Sequence, residues 1–268
     1  ISEDSSSLDL WVATQNSGYY LINPSNFEIK GHYLFDPLSP LSISTSNLSE
    51  NDEKSIIFEN NKVFIATKNG FNIFDKKLKT FKRFFKGKKS LFTTNNIIGI
   101  KKYLDKIIIA TENELVLYDL KDKTFTNRVE TSGSINQMYI FSDETTVLKS
   151  GNNQFKVILE DGQLSAISIK NTVPNTNEYT ISQSQFYYWD KGTQKLIKSD
   201  NDFKNKKDIN IDASINSLSV YNDEVLVGTN EGIKKIADDN NSVLDLNKFE
   251  GSIYLYTYDD QLININKN

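Results

Sequence analysis

The sequence predicts an all-β fold of the β-propeller type, built from four-stranded blades. Three observations favour it: a short hairpin phrase recurs along the chain, its copies lie about 40 residues apart, and no segment shows the periodicity of an amphipathic helix. A period of this size made of strands is typical of a propeller, whereas a helical solenoid would show helical patterns between its turns.

The repeated phrase is clearest from Asn61 to Asp75. Val63 to Thr67 is a short β-prone strand, Lys68 to Gly70 is a polar turn, and Phe71 to Asp75 is a return strand, so the segment predicts a hairpin. The last residue of the first strand recurs at Thr14, Thr67, Thr111, Ser150, Asp190, Thr229 and Asn266. The intervals between these positions are 53, 44, 39, 40, 39 and 37 residues.

Each repeat has room for four strands. In the third repeat the predicted strands are Ile97 to Tyr103, Lys106 to Thr111, Glu114 to Leu120 and Thr124 to Val129. In the sixth they are Ser214 to Tyr221, Glu224 to Thr229, Gly232 to Ala237 and Ser242 to Leu246. Turn-forming Asn and Asp residues separate them, and the inner strands are apolar runs of the kind that lie between stacked sheets.

The two ends of the chain bear on the number of blades. Ile1 to Asp4 matches only the end of an inner strand, while Ser252 to Tyr258 and Gln261 to Ile265 supply the first two strands of a further repeat. We therefore expect residues 1–268 to form one propeller domain of seven blades, the last incomplete, within a longer protein. A six-bladed ring closed by pairing of the two ends is the alternative. The connection from Asp36 to Lys54 is expected to leave the ring.

Composition argues against several functional classes. Without cysteine the chain has no disulfide, no thiolate nucleophile and no cysteine zinc site. No apolar run approaches the roughly 18 residues that span a bilayer, so we expect no membrane contact by this segment. The net charge of −4 gives no general attraction for nucleic acid. Between Lys76 and Lys102, however, ten basic residues occur without one acidic residue, which leaves −14 (−4 minus 10) for the rest of the chain.

Four copies of the phrase carry a family resemblance. Trp11 to Thr14, Phe64 to Gly70, Ile109 to Thr111 and Val227 to Gly232 resemble the two-component regulator propeller repeat, whereas the copies around Ser150 and Asp190 depart from it. The resemblance implies the extracytoplasmic sensor region of a bacterial hybrid two-component regulator, in the periplasm or at the cell surface. Such sensors combine propellers with a β-sandwich, a membrane helix and a histidine kinase, and many respond to glycan fragments. Neighbouring domains of a longer chain are then the implied partners.

Enzymatic chemistry is not indicated. The only histidine is His32, the only arginines are Arg83 and Arg128, and no Gly-x-Ser-x-Gly motif occurs. The paired carboxylates Asp238-Asp239 and Asp259-Asp260 fall in turns, where aspartate favours the backbone geometry. We therefore predict no catalytic residue, no metal and no cofactor. A carboxylate pair across a central pocket is the enzymatic alternative.

The basic stretch supplies the candidate ligand site. Lys86, Lys88 and Lys89 follow an outer strand, in a loop that in a propeller shares a face with the turn at Lys68 and Asn69. We predict that this face binds an anionic partner, such as a sulfated or carboxylated glycan. The alternative for the basic residues of the outer strand itself is protection of an exposed sheet edge against pairing.

Trp189 is a second candidate. It ends the aromatic run from Phe186, and at the end of a strand its ring would reach solvent and stack on a sugar; packing between blades is the alternative. Together these features predict a non-enzymatic, ligand-binding sensor propeller. A protein-interaction scaffold at the cell surface, such as an assembly or secretion accessory, is the alternative function, and a homodimer is left open.

Overall fold

The computed structural model describes residues 1–48, 55–141, 145–151, 153–169, 176, 179–200, 203–211, 213–221, 223–230, 232–237, 240–243, 254–256 and 262–264. The regular elements of these residues are β-strands, which confirms the predicted all-β propeller class. Within the same ranges, no helix has the length and apolar character needed to cross a membrane. Several features predicted from sequence lie outside the described residues: positions 49–54 of the long connection, Asn266, the pairs Asp238-Asp239 and Asp259-Asp260, and parts of the predicted strands Ser242 to Leu246, Ser252 to Tyr258 and Gln261 to Ile265.

Six four-stranded antiparallel sheets follow one another, and each pairs its strands in chain order. Blade 1 has β1 (Ser2–Asp4), β2 (Asp9–Ala13), β3 (Tyr19–Ile22) and β4 (Ile29–Tyr33). Blade 2 has β5 (Ile56–Glu59), β6 (Lys62–Thr67), β7 (Gly70–Asp75) and β8 (Thr80–Phe84). Blade 3 has β9 (Ile97–Tyr103), β10 (Lys106–Thr111), β11 (Glu114–Asp119) and β12 (Thr124–Glu130).

Three further sheets complete this series. Blade 4 has β13 (Gln137–Ile140), β14 (Thr146–Ser150), β15 (Asn153–Glu160) and β16 (Gln163–Ile169). Blade 5 has β17 (Tyr179–Ser182), β18 (Gln185–Asp190), β19 (Lys195–Asp200) and β20 (Lys207–Ile209). Blade 6 has β21 (Ile215–Tyr221), β22 (Glu224–Thr229), β23 (Gly232–Ala237) and β24 (Asn240–Val243).

The preference for seven blades is not supported. The described residues form six four-stranded blades, and β25 (Tyr254–Tyr256) and β26 (Leu262–Asn264) form a separate two-stranded sheet. The repeat phrase near the end of the chain correctly indicated a hairpin, but among the described residues this hairpin has two strands, whereas each of the six blades has four.

The chain divides into two compact units. Unit 1 contains residues 1–140 and 146–170, and therefore blades 1 to 4. Unit 2 contains residues 141–145 and 171–268, and therefore blades 5 and 6 with the two-stranded sheet.

The core of unit 1 lies between successive blades. Trp11 of blade 1 is only 2% exposed, and its ring lies 5.6 Å from that of Tyr33 and 5.2 Å from that of Phe74 of blade 2. Blades 2 and 3 bury a second cluster that includes Phe71 and Tyr118, and blades 3 and 4 bury a third. Burying each large apolar side chain stabilises the fold by about 1.5–3 kcal/mol, so these inter-blade layers hold the unit together.

Unit 2 has its own core. Blades 5 and 6 enclose a cluster that includes Tyr187, Leu196 and Val227. A further aromatic group packs Phe186 between Phe203, at 5.1 Å, and Tyr179, at 5.3 Å. The aromatic run of β18 is therefore used mainly for packing.

The threonine of the repeated phrase closes the turn that follows it. Thr67 Oγ1 donates a hydrogen bond to Gly70 O over 2.8 Å and accepts one from the backbone N–H of Asn69 over 3.1 Å. Thr14 and Thr111 make corresponding hydrogen bonds in blades 1 and 3. A β-branched residue that can also hydrogen-bond to the turn fits both the strand and its end.

Blade 5 departs from the phrase but keeps a side-chain acceptor for the N–H groups of the turn. Asp190 replaces threonine, and its carboxylate accepts hydrogen bonds from the backbone N–H groups of Gly192, at 2.9 Å, and Thr193, at 3.4 Å. The departure from the repeat pattern therefore preserves the acceptor that the turn requires.

The aspartate that ends the phrase fixes the next turn. In blade 2, Asp75 forms an ion pair with Lys62 on the neighbouring strand and accepts hydrogen bonds from the N–H groups of Lys77 and Leu78. The hydrogen bond from Lys62 is the largest cause that holds the pKa of Asp75 at about 2. Asp119 pairs with Lys106 in the same way in blade 3, at 2.6 Å, and its pKa is also lowered.

Residues 36–48 of the long connection are packed against blades 1 and 2, although a protruding loop was expected. Ile43 and Leu48 are buried in the cluster between the two blades, and the carbonyl of Leu41 accepts a hydrogen bond from Phe81 N–H of β8 over 2.8 Å. The connection therefore covers part of the outer edge of blade 2, while its tip at Leu38 is 92% exposed.

Candidate functional site

Five of the six predicted site residues lie at one end of blade 2. The turn at residues 67–70, which joins β6 to β7, carries Lys68 and Asn69, and the loop at residues 85–96, which joins β8 to β9, carries Lys86, Lys88 and Lys89. All five are exposed. We call this group the lysine face.

Asn95 fixes the loop against the turn. Its backbone oxygen accepts a hydrogen bond from the N–H of Gly70 over 2.7 Å, and its side-chain oxygen accepts one from the N–H of Lys86, also over 2.7 Å. Gly70 is required here because its φ is +115° and a Cβ would lie 2.7 Å from Phe84 O. The backbone positions of the lysine face are thus set by hydrogen bonds within the blade.

The same loop is anchored to blade 3 by two carboxylates. Glu114 is fully buried, and its carboxylate accepts a hydrogen bond from Thr93 N–H over 2.8 Å. Glu112 accepts hydrogen bonds from the Asn96 side-chain amide at 2.8 Å and the Thr94 hydroxyl at 3.2 Å. These acids therefore hold the loop in place through its polar residues.

Asn69 has a structural contact. Its side-chain amide donates a hydrogen bond to Ser44 O over 3.0 Å, which ties the turn to the long connection. Behind it, the buried Asn72 accepts a hydrogen bond from Ser44 N–H at 3.0 Å and donates one to Ser44 Oγ at 2.9 Å. Neither Ser44 nor Asn72 was predicted from the sequence, although a polar Asn72 among the apolar residues of β7 was a usable signal.

The three loop lysines of the lysine face are exposed. In the described part of the chain, Lys86, Lys88 and Lys89 do not take part in any ion pair. Other cations of the basic stretch are engaged: Lys76 pairs with Asp4 and Lys102 with Glu59. The field at this end of blade 2 therefore comes chiefly from the loop lysines.

Trp189 lies in unit 2, at the end of β18. Its side chain is partly buried and packs against the cluster between blades 5 and 6, and its backbone oxygen accepts a hydrogen bond from the Thr176 hydroxyl at 3.1 Å. Trp189 is thus used in packing and is only partly exposed.

His32 contacts groups in blade 1. Its ring stacks on Tyr20 with centroids 4.0 Å apart, and Nε2 lies 2.8 Å from Ser17 O. Among the residues that the structure describes, no group of three or more His, Cys, Asp or Glu side chains is placed to hold a metal ion.

Sequence comparison finds no protein-family model and no curated protein that matches the chain. Comparison of structures does find matches. The extracellular domain of BT4673, a proposed one-component system of B. thetaiotaomicron, matches with a TM-score of 0.66 and 14% identity, over 95% of this chain and 37% of that chain.

Two further matches widen this picture. The extracellular domain of BT3049, a proposed hybrid two-component system of B. thetaiotaomicron, has a TM-score of 0.52 and 12% identity, over 97% of this chain and 42% of that chain. The dihydro-heme d1 dehydrogenase NirN has a TM-score of 0.55 and 11% identity, over 91% of this chain and 55% of that chain. The chain spans less than half the length of the two extracellular domains. At these identities the similarity shows the fold, and at that level it confirms the resemblance expected from the repeats.

Proposed function

We propose that this chain is the non-enzymatic sensor propeller of a two-component-type regulator, located in the periplasm or at the cell surface. Two independent findings support the proposal: the repeated phrase of the sequence, and the shared fold of the extracellular domains of BT4673 and BT3049. Because the chain spans only part of those domains, the proposal includes neighbouring domains that would transmit the signal. NirN gives enzymatic activity no specific support, since a shared fold does not imply a shared reaction.

The proposed ligand is a sulfated or carboxylated glycan bound at the lysine face. The observation that carries this proposal is the placement of Lys68, Lys86, Lys88 and Lys89 on two hydrogen-bonded loops at one end of blade 2. Several exposed ammonium groups, on loops held by hydrogen bonds, would attract the anionic groups of such a glycan. Trp189 stays a separate prediction for sugar stacking.

A glycan array probed with the whole chain tests this proposal. Binding is measured at low and at physiological salt for the wild type and for a variant with Lys86→Ala, Lys88→Ala and Lys89→Ala. We expect the wild type to bind acidic glycans and the variant to lose this binding. Binding should weaken at higher salt, because exposed charges are screened over about 8–10 Å.

The matched control removes the same charge elsewhere. Lys77→Ala, Lys121→Ala and Lys123→Ala affect exposed lysines in turns at the opposite end of blades 2 and 3. This control should bind as the wild type does. Equal losses in both variants would show a nonspecific charge effect, and no binding to any glycan would favour the scaffold function.

A further inference from the structure

An apolar surface adjoins the lysine face and is not used by the proposed glycan site. Phe35, Leu38, Leu41 and Phe85 are all exposed, with Leu38 at 92% and Leu41 at 55%. We call these four side chains the apolar knob. Phe85 links the two surfaces, because its ring lies against Gly70 of the turn that carries Lys68.

The loop that carries the two leucines is held by its own hydrogen bonds. Asp36 Oδ1 accepts from Leu38 N–H at 2.8 Å, and Asp36 N–H donates to Ser42 Oγ at 2.9 Å. Ser42 Oγ lies 3.0 Å from Asp36 O and 3.1 Å from Ser39 O, and either oxygen can accept its hydrogen. The backbone is therefore ordered before binding, so a partner would not have to order it.

Arg83 joins this loop to the aromatic residues. Its guanidinium carbon lies 5.9 Å from the ring centroids of both Phe35 and Phe85, and one of its nitrogens donates to Ser39 O at 3.2 Å. The guanidinium thus occupies part of both aromatic surfaces. Sugar stacking needs an open aromatic face, whereas apolar side chains of a protein can pack on ring edges and on leucine.

Among the described residues of β8, its following loop and positions 34–42, positive charge is in excess. Arg83, Lys86, Lys88 and Lys89 supply positive charge, while the acid within the loop, Asp36, is already hydrogen-bonded to the backbone. A partner that complements this surface carries carboxylates as well as apolar side chains. Leu38 and Leu41 are separated by Ser39 and Pro40, so they offer spaced contact points and not a continuous apolar layer. Spaced contact points suit the side chains of a peptide.

We propose that the apolar knob and the adjoining cations bind an acidic peptide segment of a protein partner, with large apolar side chains that pack on Leu38, Leu41 and Phe85. The peptide and the proposed glycan would share the loop lysines, whereas Leu38, Leu41 and Phe85 would contact the peptide alone. The apolar contacts supply affinity, and the carboxylates of the segment select for it through Arg83 and the loop lysines.

The probe is a display library of random 16-residue peptides, selected against the whole chain. Enriched peptides are synthesised, and their affinity is measured by fluorescence anisotropy for the wild type and for Leu38→Ser with Leu41→Ser. The control is Leu78→Ser with Leu104→Ser, since these leucines are 71% and 76% exposed and lie in other turns.

We expect enriched peptides to be acidic and rich in Leu, Ile, Phe or Trp. Their affinity should fall by about tenfold or more in the Leu38 and Leu41 variant and should be unchanged in the control. No enrichment, enrichment without acidic residues, or equal binding by both variants would overturn the proposal.

Two further measurements separate other occupants of the knob. If the wild type co-sediments with phosphatidylglycerol vesicles and the Leu38 and Leu41 variant does not, the partner of the knob is a membrane surface and not a peptide. If the wild type self-associates in sedimentation equilibrium and the same variant does not, the partner is a second copy of the chain. In either case the proposal would be wrong. If the wild type neither binds vesicles nor self-associates, the peptide measurement decides.

Discussion

Thr67→Val removes the hydroxyl that closes the turn of the repeated phrase while it keeps the shape of the side chain. Thr67 is buried, and its Oγ1 contacts Gly70 O at 2.8 Å, Asn69 N at 3.1 Å and Ser44 Oγ at 3.0 Å. Each hydrogen bond contributes about 0.5–1.5 kcal/mol net, and buried partners left without one add a penalty. We expect the free energy of unfolding to fall by about 2–3 kcal/mol.

Thr67→Ser is the matched control. It keeps the hydroxyl and removes one buried methyl group, which costs about 0.8 kcal/mol. The valine variant should therefore be less stable than the serine variant, although valine is the more apolar and the more β-prone residue. Packing alone predicts the opposite order.

Urea unfolding followed by tryptophan fluorescence distinguishes these outcomes. The chain has two tryptophans, so a Trp189→Phe background leaves Trp11 as the reporter. Trp11 lies in the cluster between blades 1 and 2, close to the altered strand, and reports the unfolding of unit 1. If the valine variant is as stable as the serine variant, the hydroxyl does not explain why the phrase contains threonine.

Two other predictions concern blade 2. Gly70→Ala should destabilise unit 1 by about 1–3 kcal/mol in urea unfolding, because φ is +115° and the new Cβ would lie 2.7 Å from Phe84 O. Gly87 also has a positive φ, of +149°, but nothing outside its chain neighbours lies within 4 Å of an added Cβ, so Gly87→Ala should cost less. Equal costs would show that the contact with Phe84 O does not contribute. Because the pKa of Asp75 is lowered from 3.8 to about 2, its carboxylate stabilises the fold above about pH 4, and this contribution is lost as the pH falls towards 2. Asp75→Asn should flatten the dependence of unfolding free energy on pH in this window, and an unchanged slope would show that Asp75 is not responsible.

Local patterns were sufficient to predict most strands. In blade 3 every strand boundary lies within one residue of its predicted position, because short apolar runs alternate there with clear turn residues. In blade 6 the outer strand begins at Asn240, two residues before the predicted start, since Asn and Asp suit both turns and strand ends. Strand propensity is weak at such boundaries, so the pairing of neighbouring strands decides them.

Long-range contacts could not be predicted from these patterns. Residues 36–48 are rich in serine and proline and suggested a free loop, yet Ile43 is buried between blades 1 and 2. Ser44 bonds to Asn72, 28 residues further along the chain, and only the fold brings them together. The lysine face was predictable in part, because propeller topology places the turn at Lys68 and the loop at Lys86 on one side.

The support of the lysine face and the face itself should respond differently to substitution. Thr67, Asn72 and Asn95 hold backbone groups through hydrogen bonds, so their replacement should change stability first and binding only as a consequence. Lys86 and Leu38 project into solvent from loops that are already fixed, so their replacement should change binding with little change in stability. If a lysine or leucine variant lost stability as well as binding, the surface residues would also stabilise the blade. The loss of binding could then not be assigned to a ligand contact.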